Sequence, residues 1–545
     1  MTEASASVSP LSLPHQPRSA LSNRTLWWAL LAAGCAVLLW PLLLVDMPPL
    51  LDYPNHLARA FILAQGDSDP LLAAMYAARW AIIPNLAMDA ILPPLMHVLP
   101  VHVAGRLVIA FALLLPVAGG ILYSRALFGR VSLWSLGICL ATANGLFLLG
   151  FMNFQLSIGL ALVCAAAWLR WRERYPAAIA AFAALATAAL FLSHLMGLLF
   201  FGLLIGCSEV SRLSEVLRDR HLAMHAARRV LVLVPAAAVA VGLYSASSFG
   251  DEATQIAWGP LDQRLIRALP FFGYDLVADL ACTALVLGAL ALLAWQRRLR
   301  VPRASVLLLG GLAGLALLAP LEFKGTGYVH ARFAVMLSFM LFTAVRPVGL
   351  SRRQAWLLGV ALAGIFLVRQ VETAVVWHGH AQDLADLRRV TADMPPGSRV
   401  LTAAVDMDEA ADGRFGFLGR QLLSDRTRID GHVAALLVIE RRAFWPFLFA
   451  NLSQQPMRLR EPFLTIGKQT VGIPNLRQLA ASEPDEPEGG PFPIAGHWSC
   501  CYDYVLVVPA AAHPGFTDPE LEPVARSDFA DLFRVVPADS VASLR

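Results

Sequence analysis

The chain has 545 residues, of which 57% are hydrophobic and only 15% are charged, and its formal net charge is +4. A water-soluble globule of this length needs far more polar surface, so the composition indicates a polytopic membrane protein. So small a net charge also offers no basic surface for nucleic acid.

Residues 1–25 are polar and read as a disordered cytoplasmic tail. The run LWWALLAAGCAVLLWPLLLV, Leu26 to Val45, carries no charge and no small-residue cleavage site follows it, so it reads as a retained spanning helix. Further spans of about twenty residues are expected near 104–124, 132–149, 153–170, 176–192, 194–209, 229–247, 275–295, 304–321, 332–347 and 354–373. The fold class is therefore α-helical and polytopic, with about eleven transmembrane helices.

Arginine placement orients them. With the N-terminus inside, the inner connections collect Arg18, Arg24, Arg125, Arg130, Arg170, Arg172, Arg174, Arg212, Arg218, Arg220, Arg228, Arg229, Arg297, Arg298, Arg300, Arg303, Arg346, Arg352 and Arg353. The outer connections are longer in total, yet they hold only Arg59, Arg79, Arg106, Arg264, Arg267, Lys324, Arg332 and Arg369. That asymmetry is the positive-inside pattern, and it requires the 176–209 stretch to break at LSHLMG into two crossings. An odd number of spans leaves the C-terminus outside.

Two outer regions are then large. The first, 46–103, contains HLARAFILAQ and NLAMDAILPPLMHVL, which have helical spacing but are short or proline-broken and are expected to lie along the interface. The second, 374–545, reads as an extracytoplasmic α/β domain. Its candidate strands are RVLTAAV, DYVLVV and FRVVPA, its helical stretches QDLADLRRVTADM and GHVAALLVIERRAF, and its linker SEPDEPEGGP. Cys35, Cys139, Cys164, Cys207 and Cys282 fall in apolar runs as small hydrophobes, and the adjacent pair Cys500 and Cys501 makes no disulfide framework.

Polar groups at the membrane edge are costly and mark functional candidates. On this topology they gather on the outer side: Asp46, Asp52, His56, Arg59, Asn85, Asp89, Asn144, Asn153, His194, Glu322, Lys324, His330 and Arg332. In PLLDYPNHLARA, Asp52 and His56 share a helix face if the turn continues, which suits a base and its partner or a pair of metal ligands. Asp52 fits equally well as the N-cap of a helix that Pro54 begins, and His56 fits as an ordinary interfacial histidine. In LEFKGTGYVHARF, the side chains of Lys324, His330 and Arg332 suit a phosphate clamp, or snorkelling at a helix end. The triplets Asp67–Asp69 and Asp406–Asp408 have metal-binding chemistry, although the first has the composition of a plain turn. KGTG is too short for a nucleotide loop, and the sequon at Asn451 carries little weight.

One helix, a long outer loop opening on an acidic motif, and then LPPLMHVLPVHVAGRLVIAFALLLPVAGGILYSRALFGR together resemble the GT-C superfamily of membrane glycosyltransferases. The likeness is to the branch of protein O-mannosyltransferases and the lipid A aminoarabinose transferase. Its carriers are Pro93 and Pro94, Arg106 with Leu107, and the Arg125 to Gly129 exit, over an architecture spanning roughly residues 26–350.

The resemblance implies a sugar donor on a polyprenyl phosphate, Asp52 as base or metal ligand with His56, possible use of a divalent cation (Mg or Mn), and cations near residue 330 facing the lipid phosphate. Arg59, His194 and Asn153 join that substrate-binding group. The branch usually offers two acids adjacent or one apart, whereas Asp52 is followed by Tyr53, Pro54, Asn55 and His56. Either His56 or Asp46 takes the second place, or the reaction has been lost.

The expected function is transfer of a sugar from such a donor to a lipid, glycan or protein acceptor at the periplasmic face of a bacterial inner membrane. A transporter or lipid flippase, or a noncatalytic assembly protein, is the alternative. No internal repeat or midplane polar row favours transport.

Overall fold

The computed structural model describes residues 19–216, 231–248, 256–404, 422–450, 452–467, 473–474, 476, 479, 498–509 and 518–536. Helices α1 (Ser19–Leu39), α2 (Tyr53–Gln65), α3 (Ala87–Met96), α4 (Val101–Phe128), α5 (Met152–Trp171), α6 (Pro176–Ser193), α7 (Leu195–Val216) and α8 (Val234–Ala246) are followed by α9 (Leu276–Trp295), α10 (Arg303–Leu318), α11 (Val329–Thr343) and α12 (Arg352–Val390). Among the described residues seven helices are long and apolar enough to cross a membrane: α1, α4, α5, α6, α7, α9 and α12. The chain is a multi-pass membrane protein.

The expected break at LSHLMG is present. His194 alone is extended, with φ −171° and ψ 131°, between the end of α6 and the start of α7. The expected span at 132–149 is not one helix. It is three short pieces, Leu133–Gly137, Ile138–Thr142 and Gly145–Leu148, because the chain turns at Ala143 and Asn144. Asn144 supports that turn by accepting from Phe147 N–H at 3.1 Å and donating to the Ala141 and Thr142 carbonyls.

Helices α4 and α5 pack closely through small residues. A methyl group on Gly119 would come within 2.6 Å of the Gly159 carbonyl, so side chains are excluded there and the two backbones approach directly.

Helix α12 runs unbroken for 39 residues, about 58 Å at 1.5 Å per residue. The expected boundary at 373/374 falls inside it. The segment expected as a separate helix, from Gln382 onward, is its last turns, so the tail begins as a continuation of a spanning helix.

Beyond it lies a four-stranded sheet in the order β1-β2-β4-β3, with β1 at Val400–Ala403, β2 at Tyr504–Val507, β3 at Leu521–Arg526 and β4 at Asp531–Val535. Strands β1 and β2 are parallel and the other pairings antiparallel. Asp406–Asp408, Asn451 and the SEPDEPEGGP linker lie outside the described residues, as do residues 1–18 of the N-terminal tail.

The tail is interlocked with the first loop. Tyr76–Ala78 pairs antiparallel with Met457–Leu459, and Phe449 N–H donates to Asn55 Oδ1 at 2.9 Å. Arg442 Nε donates to Asp69 Oδ2 at 2.8 Å, while Asp69 also caps the short helix Pro70–Met75. The Asp67–Asp69 triplet is therefore the plain turn and cap. Helix α2 is covered on all sides: every residue from Tyr53 to Ile62 is buried, with the tail packed against it as well as the helices of the first loop.

Candidate functional site

Asp52 precedes α2 on a rigid mount. Its N–H donates to the Leu149 carbonyl and that of Leu51 to Leu148, each at 3.1 Å. Gly150 makes the approach possible: it has φ +81°, and a Cβ there would lie 2.6 Å from the Asp52 nitrogen. The Asp52 carboxylate makes no cap bond to α2. It turns instead to the tail, where Oδ1 stands 3.2 Å from His432 Nδ1. The two atoms are in ion-pair range without the alignment of a hydrogen bond, so the nitrogen's bonding capacity is unused.

His432 is held by edge contacts to Phe449 at 5.2 Å and Trp445 at 6.0 Å between ring centroids. Trp445 is fixed in turn by donating Nε1–H to Thr402 Oγ1 at 2.8 Å. A cavity of about 380 Å³ opens beside this histidine, bounded by Thr402, Arg428, Asp430, Phe447 and Phe449.

Arg332 and His194, both expected at the site, are together: Arg332 Nη1 is 3.1 Å from His194 Nε2. The guanidinium lies over Phe151 at 4.5 Å and Phe154 at 5.2 Å, and Arg332 Nε donates to the Gly327 carbonyl. His194 Nδ1 already accepts from Met196 N–H at 3.1 Å. A neutral imidazole has one acceptor nitrogen, so it cannot serve both donors, and Arg332 retains donor capacity for an anion.

Next to it, Tyr328 packs on Phe151 and meets Thr427 of the tail, with Oη and Oγ1 3.3 Å apart. Arg267 stacks on the Tyr328 ring at 4.5 Å and ion-pairs with Asp425.

His56 and Arg59 are used differently from the sequence expectation. Arg59 is fully buried and grips Asp89 with two bonds, Nε to Oδ1 at 2.6 Å and Nη2 to Oδ2 at 2.9 Å. Nη2 also donates to His56 Nδ1 at 3.0 Å. Burial first, then the Arg59 and His432 charges, hold the His56 pKa well below 6.5. His56 is therefore a neutral member of a buried network, and the ring facing Asp52 is His432.

Asn153 is similarly committed to architecture: it accepts from Met88 N–H at 2.7 Å and donates to both oxygens of Asn85 at 2.6 and 2.8 Å. His330 is fully buried in the first turn of α11, and Lys324 sits half-buried in a left-handed turn with φ +48°.

A divalent cation fits these donors poorly. Asp52 and His432 are a pair only, His56 presents its acceptor nitrogen to a guanidinium, and among the described residues no three His, Cys, Asp or Glu side chains converge.

His432 does not stand out in the sequence because it stands near the start of GHVAALLVIERRAF, which reads only as a helical stretch of the tail. Its only signal is a histidine after alternating acid and base in a soluble tail.

Fold and site define a multi-pass membrane protein whose first loop and C-terminal tail together enclose a carboxylate–histidine pair. No protein-family model and no curated protein matches the chain. It is similar in overall layout to the crystal structure of ArnT from Cupriavidus metallidurans bound to undecaprenyl phosphate, at 13% identity and a TM-score of 0.49, covering 95% of this chain and 99% of that one. The apo ArnT structure gives 14% identity and a TM-score of 0.46, covering 94% and 98%.

Proposed function

We propose that the protein is a GT-C-type glycosyltransferase that moves a sugar from a polyprenyl-phosphate donor to an acceptor hydroxyl or amine at the outer membrane face. The observation that carries it is the Asp52 carboxylate, which makes no cap bond to α2, is mounted by backbone bonds at Leu148 and Leu149 and faces His432 of the tail at 3.2 Å. The arginine distribution supports an orientation with the N-terminus inside and this end of the molecule outside; we assign the membrane as a bacterial inner membrane.

Asp52 takes the acceptor proton as the acceptor heteroatom attacks the anomeric carbon. The bond from that carbon to the phosphate oxygen breaks, and the lipid phosphate leaves with the electron pair. Arg332 stabilises the leaving phosphate with the donor capacity His194 cannot satisfy. Lys324 is the second candidate for that role. His432 orients the Asp52 carboxylate, the place the sequence expectation gave to His56. No step is routed through a metal ion.

The test is purification with native lipid and mass spectrometry of any co-purifying polyprenyl-linked sugar, followed by its turnover in wild type and Asp52→Asn. Consumption of the lipid-linked sugar by wild type and not by the variant is expected. If neither turnover nor such a lipid is found, the transferase reading fails.

A further inference from the structure

The cavity beside His432 is lined by the tail, from five places in its sequence, Ile473 and Val508 being two of them. Thr402 lies on β1, Arg428, Asp430 and His432 in the loop before Val433, and Phe447 and Phe449 in the segment after Ala443. Its volume of about 380 Å³ is at the lower end of small-molecule sites, roughly 300–1,000 Å³.

Its chemistry narrows the occupant. Two phenylalanines give apolar surface. The charged groups are one neutralised unit: Arg428 donates to Asp430 Oδ1 from Nε at 2.9 Å and to Oδ2 from Nη2 at 2.7 Å, and Nη2 also donates to the Val508 carbonyl at 3.1 Å. The Asp430 side chain is 1% exposed, so the pair is built into the wall and carries no free charge for an anion. Aromatic surface, a neutral ion pair and a partly exposed histidine suit a neutral hydroxylated ring, with an apolar face to stack and hydroxyls to bond. Asp52 does not itself line the cavity, but it stands 3.2 Å from Nδ1 of His432, which does.

We infer that the tail cavity binds a neutral sugar ring of the acceptor and presents its hydroxyl to Asp52 past His432. This rests on the transferase reading for the role of the bound ring, but not for its binding. The tail thus supplies the acceptor subsite, while the Arg332 cluster among the spanning helices faces the donor.

The full-length protein in detergent is titrated with methyl hexosides and methyl pentosides, and separately with methyl phosphate, following ligand saturation transfer by NMR. Saturable millimolar binding of at least one glycoside is expected, together with roughly tenfold or greater weakening in Ala404→Trp, which fills the cavity. Phe447→Leu trims the wall without overfilling it and is expected to weaken binding about threefold or more if Ala404→Trp does not fold. No glycoside binding, equal binding in the variants, or tighter binding of methyl phosphate overturns the inference. Glycoside binding without turnover of any lipid-linked sugar leaves this site standing and removes the transferase reading; turnover without glycoside binding does the reverse.

Discussion

Asp52 Oδ1 and His432 Nδ1 stand 3.2 Å apart, one contributed by the first loop and the other by the tail. On the proposed function, Asp52→Asn keeps the shape and removes the base, so turnover is expected to fall by about 10²- to 10⁴-fold with donor binding retained. His432→Ala leaves the carboxylate and loses its orientation, so a smaller loss of roughly 10- to 100-fold is expected. Equal activity of Asp52→Asn and wild type, measured by release of the lipid phosphate, would remove the base from the scheme.

Arg332 carries a planar guanidinium stacked between two phenylalanine contacts, which an ammonium cannot reproduce. Arg332→Lys is expected to lower turnover of the lipid-linked donor by about 10-fold or more, and Arg332→Gln by more than that. Steady-state kinetics with varied donor concentration checks this. Wild-type rates in Arg332→Gln would exclude a phosphate-binding role.

The Arg59–Asp89 pair is fully buried on both sides. Removing one partner leaves an uncompensated buried charge, so Arg59→Leu or Asp89→Leu should each cost about 3–5 kcal/mol. The double variant should cost less than the sum of the two. Unfolding in detergent monitored by tryptophan fluorescence reads this, and an additive double variant would mean that the pair contributes no coupling.

His56 binds its proton less readily folded than unfolded. Between its depressed folded pKa and 6.5 the unfolded chain takes up more protons, so acidification favours unfolding. The stabilisation from neutral His56 is fully present above pH 6.5 and is lost as pH falls below it. Thermal stability should drop from pH 7 to pH 5, and the drop should shrink in His56→Gln. An identical pH profile in the variant would show that His56 does not titrate in this window.

Gly150→Ala forces a side chain into a left-handed position and against the Asp52 backbone. About 1–3 kcal/mol of strain is expected, with loss of turnover exceeding the loss of folded protein because Asp52 moves. Normal turnover at normal stability would mean that the mount tolerates displacement.

Hydropathy made seven of the expected spans legible, while the runs at 229–247, 304–321 and 332–347 give only the shorter apolar helices α8, α10 and α11; the His194 break followed from arginine parity alone. What failed was local. An apolar run hid the turn at Asn144, whose amide satisfies the freed carbonyls from within the segment. The change of composition near 374 marked a change of solvent and not the end of α12, since nothing there breaks a helix. Strand β3 was missed because Pro523 argues against a strand, and it is admitted only because β3 is the sheet edge. At the site, His194 and Arg332, both named from the sequence, are in contact, whereas His432 depends on a long-range contact that no local pattern encodes. His56 shared a helix with Asp52, but helical spacing does not reveal that a guanidinium one turn on takes its acceptor nitrogen.

The pairing of Tyr76–Ala78 with Met457–Leu459 ties the start of the protein to a stretch near its end. During synthesis the spans up to α12 are complete before either Met457 or His432 exists. A nascent chain therefore carries Asp52 without its partner histidine, and the pair is assembled only when the tail through His432 has been made and has folded back onto the first loop.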